Sequence, residues 1–262
     1  MRQRTGRVYF IGAGPGDPQL LTLKGKRVLE SADVIVYADS LVNSAICAFA
    51  REGAEIHGSA SLSLREVSLI MVTAAREGKI VVRLHSGDSS VFGATLEQMA
   101  VLESEGIGYE VIPGVSSIFA AAAALKAELT IPDVSQTVII SRLEGRTPVP
   151  EKQRLSALAA HDATLVLYLS VGMIDQVVAE LLAGGCSLDT AVAVVHRASW
   201  EDEKVIIGTL ADIADKVRRA AVDKQALILV GKALDPELRC ANGHKSKLYD
   251  EGFSHGRRKA KQ

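Results

Sequence analysis

The chain has 262 residues, 48% of them hydrophobic and 23% charged, enough to bury one large core or two medium ones. Its 30 Lys and Arg face 31 Asp and Glu, for a formal net charge of -1, so no global field draws it to a phosphate backbone or an acidic membrane. Cys47, Cys186 and Cys240 are scattered in no metal-ligand spacing, and no apolar run reaches the length of about 18 residues needed to span a membrane. The expectation is a soluble, cytoplasmic protein without a metal, nucleic-acid or membrane partner.

The apolar run Val8 to Ile11 reads as a strand that stops at Gly12-Ala13-Gly14-Pro15-Gly16-Asp17-Pro18, with a helical pattern after about Leu20. A dinucleotide fingerprint would need a third glycine where Asp17 stands, and a carboxylate there repels phosphate. A P-loop fails too, because no Gly-Lys-Ser or Gly-Lys-Thr closes the turn. What remains is a stiff turn suited to an uncharged or cationic ligand, or a tight structural βα connection.

Lys24 to Ser31 reads as a helix with Val28 and Leu29 inward, and Asp33 to Tyr37 as a second strand. Asp39 follows that strand, where a ribose-binding carboxylate would sit, although an exposed loop carboxylate explains it equally. Ala54 to His57 reads as a short strand. Leu64 to Glu77 reads as a helix with Leu64, Val67, Met71 and Ala74 or Ala75 inward, and Lys79 to Leu84 as a strand. A second loop, His85-Ser86-Gly87-Asp88-Ser89-Ser90-Val91-Phe92-Gly93, precedes helical spacing from Ala94 to Glu105. Two glycine-bearing loops closing β-to-α steps belong on the same carboxyl edge of one parallel sheet, where such folds bind ligands. Asp88 is the better ligand candidate there, with helix capping as the alternative, and His85 reads as a hydrogen-bonded loop histidine.

Tyr109 to Ile112 reads as a fifth strand, ended by Pro113-Gly114-Val115-Ser116-Ser117, and either serine can cap the alanine-rich helix that runs to about Leu125. Five strands alternating with helices make an open α/β domain over residues 1–113. Five more β-like runs follow, at Thr137 to Ser141, Thr164 to Leu169, Ala191 to His196, Lys204 to Ile207 and Ala226 to Val230, with helices at Met173 to Leu182 and Leu210 to Arg219. The short connection through Arg197-Ala198-Ser199-Trp200-Glu201-Asp202 predicts an antiparallel hairpin, hence a second α/β domain with a mixed sheet over 114–235. Leu143 to Glu151 is a proline-rich loop. The segment 236–262 is a polar tail carrying Lys245, Lys247, Arg257, Arg258, Lys259 and Lys261, more suited to solvation than to phosphate binding.

Taken in order, Val8 to Pro18, Ser86-Gly87-Asp88 and Pro113-Gly114-Val115-Ser116-Ser117 resemble the tetrapyrrole methyltransferase family, which uses S-adenosylmethionine. Tyr37 to Val42, Glu128-Leu129-Thr130-Ile131-Pro132-Asp133 and Glu144 to Pro150 look like its branch acting on C11 of precorrin-4 in cobalamin biosynthesis. The resemblance covers the chain to about Asp235. It implies a homodimer of two-domain subunits, with S-adenosylmethionine held between the domains beside a tetrapyrrole trough and S-adenosylhomocysteine leaving as product. Carried over by position, the cofactor contacts are Pro15, Gly87, Asp88, Val91, Phe92, Ser116, Ser117, Leu169, Ala198 and Ala226. The family often has proline and tyrosine where this chain has Ser89 and Phe92, which weakens the carry-over at those two positions.

A sulfonium donor carries positive charge and no phosphate, so it suits a glycine turn containing Asp17. The implied reaction needs no strong general base, and no catalytic residue is assigned. Substrate acetates and propionates call for arginines, with Arg83, Arg142, Arg146 and Arg197 as candidates beside Asp39, each equally readable as a surface residue. Methylation of cobalt-precorrin-4, or a sister activity on uroporphyrinogen III or ribosomal RNA, is the alternative. Ser86 to Ser90 resembles the oxygen-dependent, metal-free version more. A non-catalytic tetrapyrrole carrier and a dinucleotide oxidoreductase are the rivals from other classes.

Overall fold

The structure, a computed structural model, describes residues 6–239, 246 and 251–259. Two compact units divide the chain, the first comprising Met1–Ala121 with Arg197–Glu203 and the second Ala122–His196 with Lys204 onward. The predicted calls on Lys245, Lys247, Lys261 and Cys240 lie outside the described residues.

In the first unit, strands β1 (Arg7–Gly12), β2 (Val34–Tyr37), β3 (Glu55–Gly58), β4 (Ile80–His85) and β5 (Tyr109–Ile112) form one sheet in the order β3-β2-β4-β1-β5. All four pairings are parallel, with Phe10 opposite Arg83 and Ile11 opposite Leu84. Such a sheet is covered on both faces, which is why its strands read as unbroken apolar runs. Val8, Phe10, Val36 and Val81 pack toward Val67, Met71 and Ala75 of helix α2 (Leu64–Arg76) and Leu102 of α3 (Leu96–Ser104). Ile11, Ile35, Val82 and Leu84 pack on the other face toward Leu29 of α1 (Leu23–Leu29) and Ile46. Ser63 and Glu66 close a reciprocal capping box at the start of α2, two orphan helix donors satisfied at once. Leu64, expected inward, is 41% exposed because it occupies the first turn, ahead of the face that meets the sheet.

After β5 the chain enters α4 (Ser117–Leu125). The second unit holds β6 (Val138–Arg142), β7 (Thr164–Tyr168), β8 (Ala191–His196), β9 (Lys204–Thr209) and β10 (Ala226–Val230) in the order β6-β7-β10-β8-β9. Only β6 and β7 run parallel, and the β8–β9 hairpin is antiparallel as its short connection predicts. Leu167, Val194 and Ile228 form its core with Val177 and Leu181 of α6 (Ile174–Ala183) and Ile213 and Val217 of α7 (Ile213–Arg219). The five-residue α5 (Leu155–Ala159) has no counterpart in the sequence reading, since it is too short to show a helical period. Among the described residues no helix is long and apolar enough to cross a membrane.

Candidate functional site

Strands β4, β1 and β5 are neighbours, so the three glycine-bearing loops that follow them emerge together at the carboxyl edge of the first sheet. They touch backbone to backbone. Gly14 and Gly87 exchange both peptide hydrogen bonds, at 3.2 and 2.8 Å, and Ala13 N–H donates to the His85 carbonyl at 2.7 Å. A Cβ on Gly12 would stand 2.6 Å from Gly114 Cα and from the Gly87 oxygen, so glycine is required there by close approach rather than by conformation.

Side chains lock this cluster. Asp88 accepts from Gly114 N–H at 2.8 Å with one oxygen, and from the Ser90 N–H and hydroxyl with the other. Burial alone would raise its pKa, but these hydrogen bonds outweigh it and hold the carboxyl below its usual range, so it stands as an anion. The predicted choice between ligand and helix cap therefore has a third outcome: Asp88 joins two loops. Asn43 donates to the Gly16 carbonyl at 3.1 Å, and Asp17 accepts from Gln19 N–H at 2.8 Å, capping the short turn after the glycines.

Gly87 sits with its α-carbon facing the Ser116–Ser117 backbone; a Cβ on it would lie 3.5 Å from Ser117 N. Pro15, Gly87, Asp88, Ser116 and Ser117 are thus brought to one edge. Val91 is half-buried, and Phe92 is 48% exposed with a φ of 52°, an uncommon conformation for a bulky residue. Ala198 is buried in the first unit. Leu169, 67% exposed with a φ of 54°, and Ala226 belong to the second unit, where Ala226 opens β10.

The substrate candidates separate sharply. Arg83 is buried: its Nε donates to Gln98 at 3.0 Å and its Nη1 to the Val36 and Leu84 carbonyls. Burial pushes its pKa down to about 10, against the opposing pull of Asp39. Asp39 is exposed and accepts from Ala60 N–H at 2.7 Å. Arg142 donates to the Leu143, Thr147 and Pro148 carbonyls, pinning the proline-rich loop from within. Arg197 bonds to Asp202 at 2.6 Å and lies 4.0 Å over the Trp200 ring. Arg146 alone of the four is exposed and without a bonded partner among the described residues. His85 is buried beside Phe10 with Nε2 unpaired, and burial together with the Arg83 charge pushes its pKa down to about 3.

Sequence reasoning did not single out Trp200, Ser199, Asn43 or Gln98. The chain's only tryptophan was the available signal, but its partner lies 185 residues away. Among the described residues no group of three or more His, Cys, Asp or Glu could hold a metal ion.

An all-parallel sheet with its glycine loops fused at the carboxyl edge defines an open α/β fold of the kind that binds ligands at that edge. The chain belongs to the Tetrapyrrole (Corrin/Porphyrin) Methylases, whose family pattern it matches over residues 7–214. It is 54% identical over 254 residues to a cobalt-precorrin-4 C(11)-methyltransferase of Methanocaldococcus jannaschii, covering 97% of this chain and 96% of that one. It is 46% identical over 230 residues to a precorrin-4 C(11)-methyltransferase of Pseudomonas aeruginosa, covering 88% and 91%. A solved cobalt-precorrin-4 methyltransferase of cobalamin biosynthesis matches with a TM-score of 0.86 at 50% identity, covering 88% and 96%. A Thermus thermophilus uroporphyrin-III C-methyltransferase complexed with S-adenyl homocysteine matches with a TM-score of 0.73 at 30% identity, covering 90% and 100%.

Proposed function

We propose that this protein transfers the methyl group of S-adenosylmethionine to C11 of precorrin-4, giving precorrin-5 in cobalamin biosynthesis. The observation that carries this reading is likeness along almost the whole chain to methyltransferases named for that carbon. The second reading is the same methylation on cobalt-precorrin-4, favoured by the name of the 54% identical relative and of the 50% identical structure.

The loop cluster suits such a donor. Gly12, Gly87 and Gly114 keep side chains out of the loop junction, and the Asp88 anion favours a cation nearby. S-adenosylmethionine supplies an electrophilic methyl on a positively charged sulfur. Gly87, Ser116 and Ser117 are the proposed binding backbone, with Val91 and Phe92 as apolar contacts. The Pro15 carbonyl is committed to Trp200, which leaves the proline ring for contact. For Leu169, Ala198 and Ala226 the resemblance is the warrant. Arg146 is the best-placed partner for substrate carboxylates because its guanidinium is uncommitted. The chain's part in the reaction is to orient the reactants and exclude water, with no general base assigned.

A homodimer and a cytoplasmic location complete the reading; sedimentation at micromolar concentration tests the first. The activity is tested by titrating the protein with S-adenosylhomocysteine and then assaying precorrin-4 and cobalt-precorrin-4 side by side without oxygen. Micromolar binding, about -8 kcal/mol, and methyl incorporation at C11 are expected. A folded protein that binds no S-adenosylhomocysteine would make a non-catalytic tetrapyrrole carrier the better reading.

A further inference from the structure

The connection from β8 to β9, Arg197–Glu203, groups with the first unit, and three of its contacts fall on consecutive residues of the first glycine loop. Trp200 Nε1 donates to the Pro15 carbonyl at 2.9 Å. The Trp200 ring lies where a Cβ on Gly16 would stand, so any larger residue at that position must displace it. Ser199 Oγ accepts the Asp17 N–H at 3.0 Å. Pro15, Gly16 and Asp17 are thus each set by one of two adjacent side chains.

The bracing segment is itself held rigid. The Arg197 guanidinium stacks on the Trp200 ring and bonds to Asp202, while Ser199 N–H donates to the Glu203 carboxylate at 2.7 Å and Trp200 N–H to the Arg197 carbonyl at 2.9 Å. Arg197 and Ser199 have φ of 49° and 68°, a left-handed conformation that side-chain-bearing residues keep only where their surroundings over-determine it. Ala198, between them, is 5% exposed. Strain of this kind, held by the surrounding hydrogen bonds, accompanies preorganised sites.

We propose that Trp200 is a positioning residue for methyl-donor binding: its indole N–H and ring fix the Pro15–Gly16 backbone, and the strained segment presenting it fixes Ala198 in the same act. The proposal rests on the reading of Pro15 and Ala198 as cofactor contacts. Its physical content is preorganisation, since a loop already set in its bound form has less freedom to lose when the ligand arrives.

The test is calorimetric titration of the full chain with S-adenosylhomocysteine in the wild type, Trp200→Phe, and a double-mutant cycle of Gly16→Ala with Trp200→Ala. Trp200→Phe keeps an aromatic ring and drops the N–H, and it is expected to raise Kd about fivefold to tenfold. The melting temperature of the ligand-free protein should stay within about 4 °C of the wild type. In turnover, KM for S-adenosylmethionine rises by the same factor while the tetrapyrrole KM is unchanged. Gly16→Ala should weaken binding in the wild-type background and be nearly neutral once Trp200→Ala has removed the ring, a coupling that the cycle reads directly. Wild-type affinity in Trp200→Phe, or additive effects across the cycle, overturns the proposal. If Trp200→Phe does not fold, Gly16→Ala alone carries the test, because its methyl must displace the indole; weakened binding supports the proposal and unchanged Kd overturns it. A wild-type chain that binds no S-adenosylhomocysteine overturns the functional reading, and this proposal with it; wild-type binding with unchanged variants overturns this proposal alone.

Discussion

The Asp88 carboxylate holds the Gly114 N–H at 2.8 Å, so the loops after β4 and β5 are joined by a single side chain. Its other oxygen is occupied by Ser90. A residue that sequence reasoning offers as a cofactor ligand is in the structure the bolt between two of the loops proposed to bind that cofactor.

Asp88→Ala removes the acceptor from Gly114 and Ser90 together. A stability loss of about 1–3 kcal/mol is expected from the unpaired donors, short of unfolding the protein, together with weaker S-adenosylhomocysteine binding. Urea denaturation and titration measure the two separately. Lost stability with unchanged affinity would make Asp88 a loop staple and remove it from the site. Because the carboxyl is held below its ordinary range in the folded state, its contribution is complete above an ordinary carboxyl pKa of about 4 and fades as pH falls through the folded value.

His85 gives an acid-sensitive term of its own. Its imidazole is pushed from 6.5 down to about 3 by burial and by Arg83, so between those values the unfolded chain binds a proton that the folded protein refuses. Stability from this group is complete above pH 6.5 and is lost as pH falls toward 3. At pH 5 the loss is about 2 kcal/mol. His85→Phe should abolish that part of the pH dependence, and its unpaired Nε2 means that no hydrogen bond is sacrificed at that atom. Guanidinium melts at pH 7.5 and 5 compare the two proteins; parallel slopes would show that His85 does not carry the term.

Gly12→Ala drives a methyl group into the backbone of Gly114 and the Gly87 carbonyl. Three backbones converge there, none with a flexible end that can move aside, so a loss of about 3 kcal/mol is expected. The drop should appear in the denaturation midpoint with little change in the denaturant slope. A wild-type midpoint would mean that the loops part easily.

Arg146 and Arg83 should behave as opposites. Arg146 is exposed and uncommitted, so Arg146→Ala is expected to raise the tetrapyrrole KM severalfold while leaving S-adenosylhomocysteine affinity and melting temperature alone. Arg83→Met leaves Gln98 and the Val36 carbonyl facing an apolar chain, and it should cost about 2–4 kcal/mol of stability. An unchanged KM in the first variant makes Arg146 a surface residue, and an unchanged melt in the second would mean that water replaces the buried guanidinium.

All ten strands among the described residues were legible in the sequence because a strand's apolar run and the turn residues that bound it are local features, set within about ten residues. The grouping of the first two glycine loops on one carboxyl edge was legible as well, because parallel βα connections admit few topologies. The roles of particular side chains were not. Arg83, Arg142, Arg146 and Arg197 are indistinguishable as letters at strand ends, yet burial, nearby carbonyls and the Asp202 carboxylate leave only Arg146 of the four exposed and uncommitted. Trp200 and Pro15 are 185 residues apart, and nothing local to either announces the other. The sequence by itself determined the strands and the longer helices, their order and the chemical family, since these follow from periodicity and from motifs in register. Only the tertiary structure decided which polar groups are consumed in holding the loops and which stay available, because a hydrogen bond belongs to whichever partner the fold brings within about 3 Å.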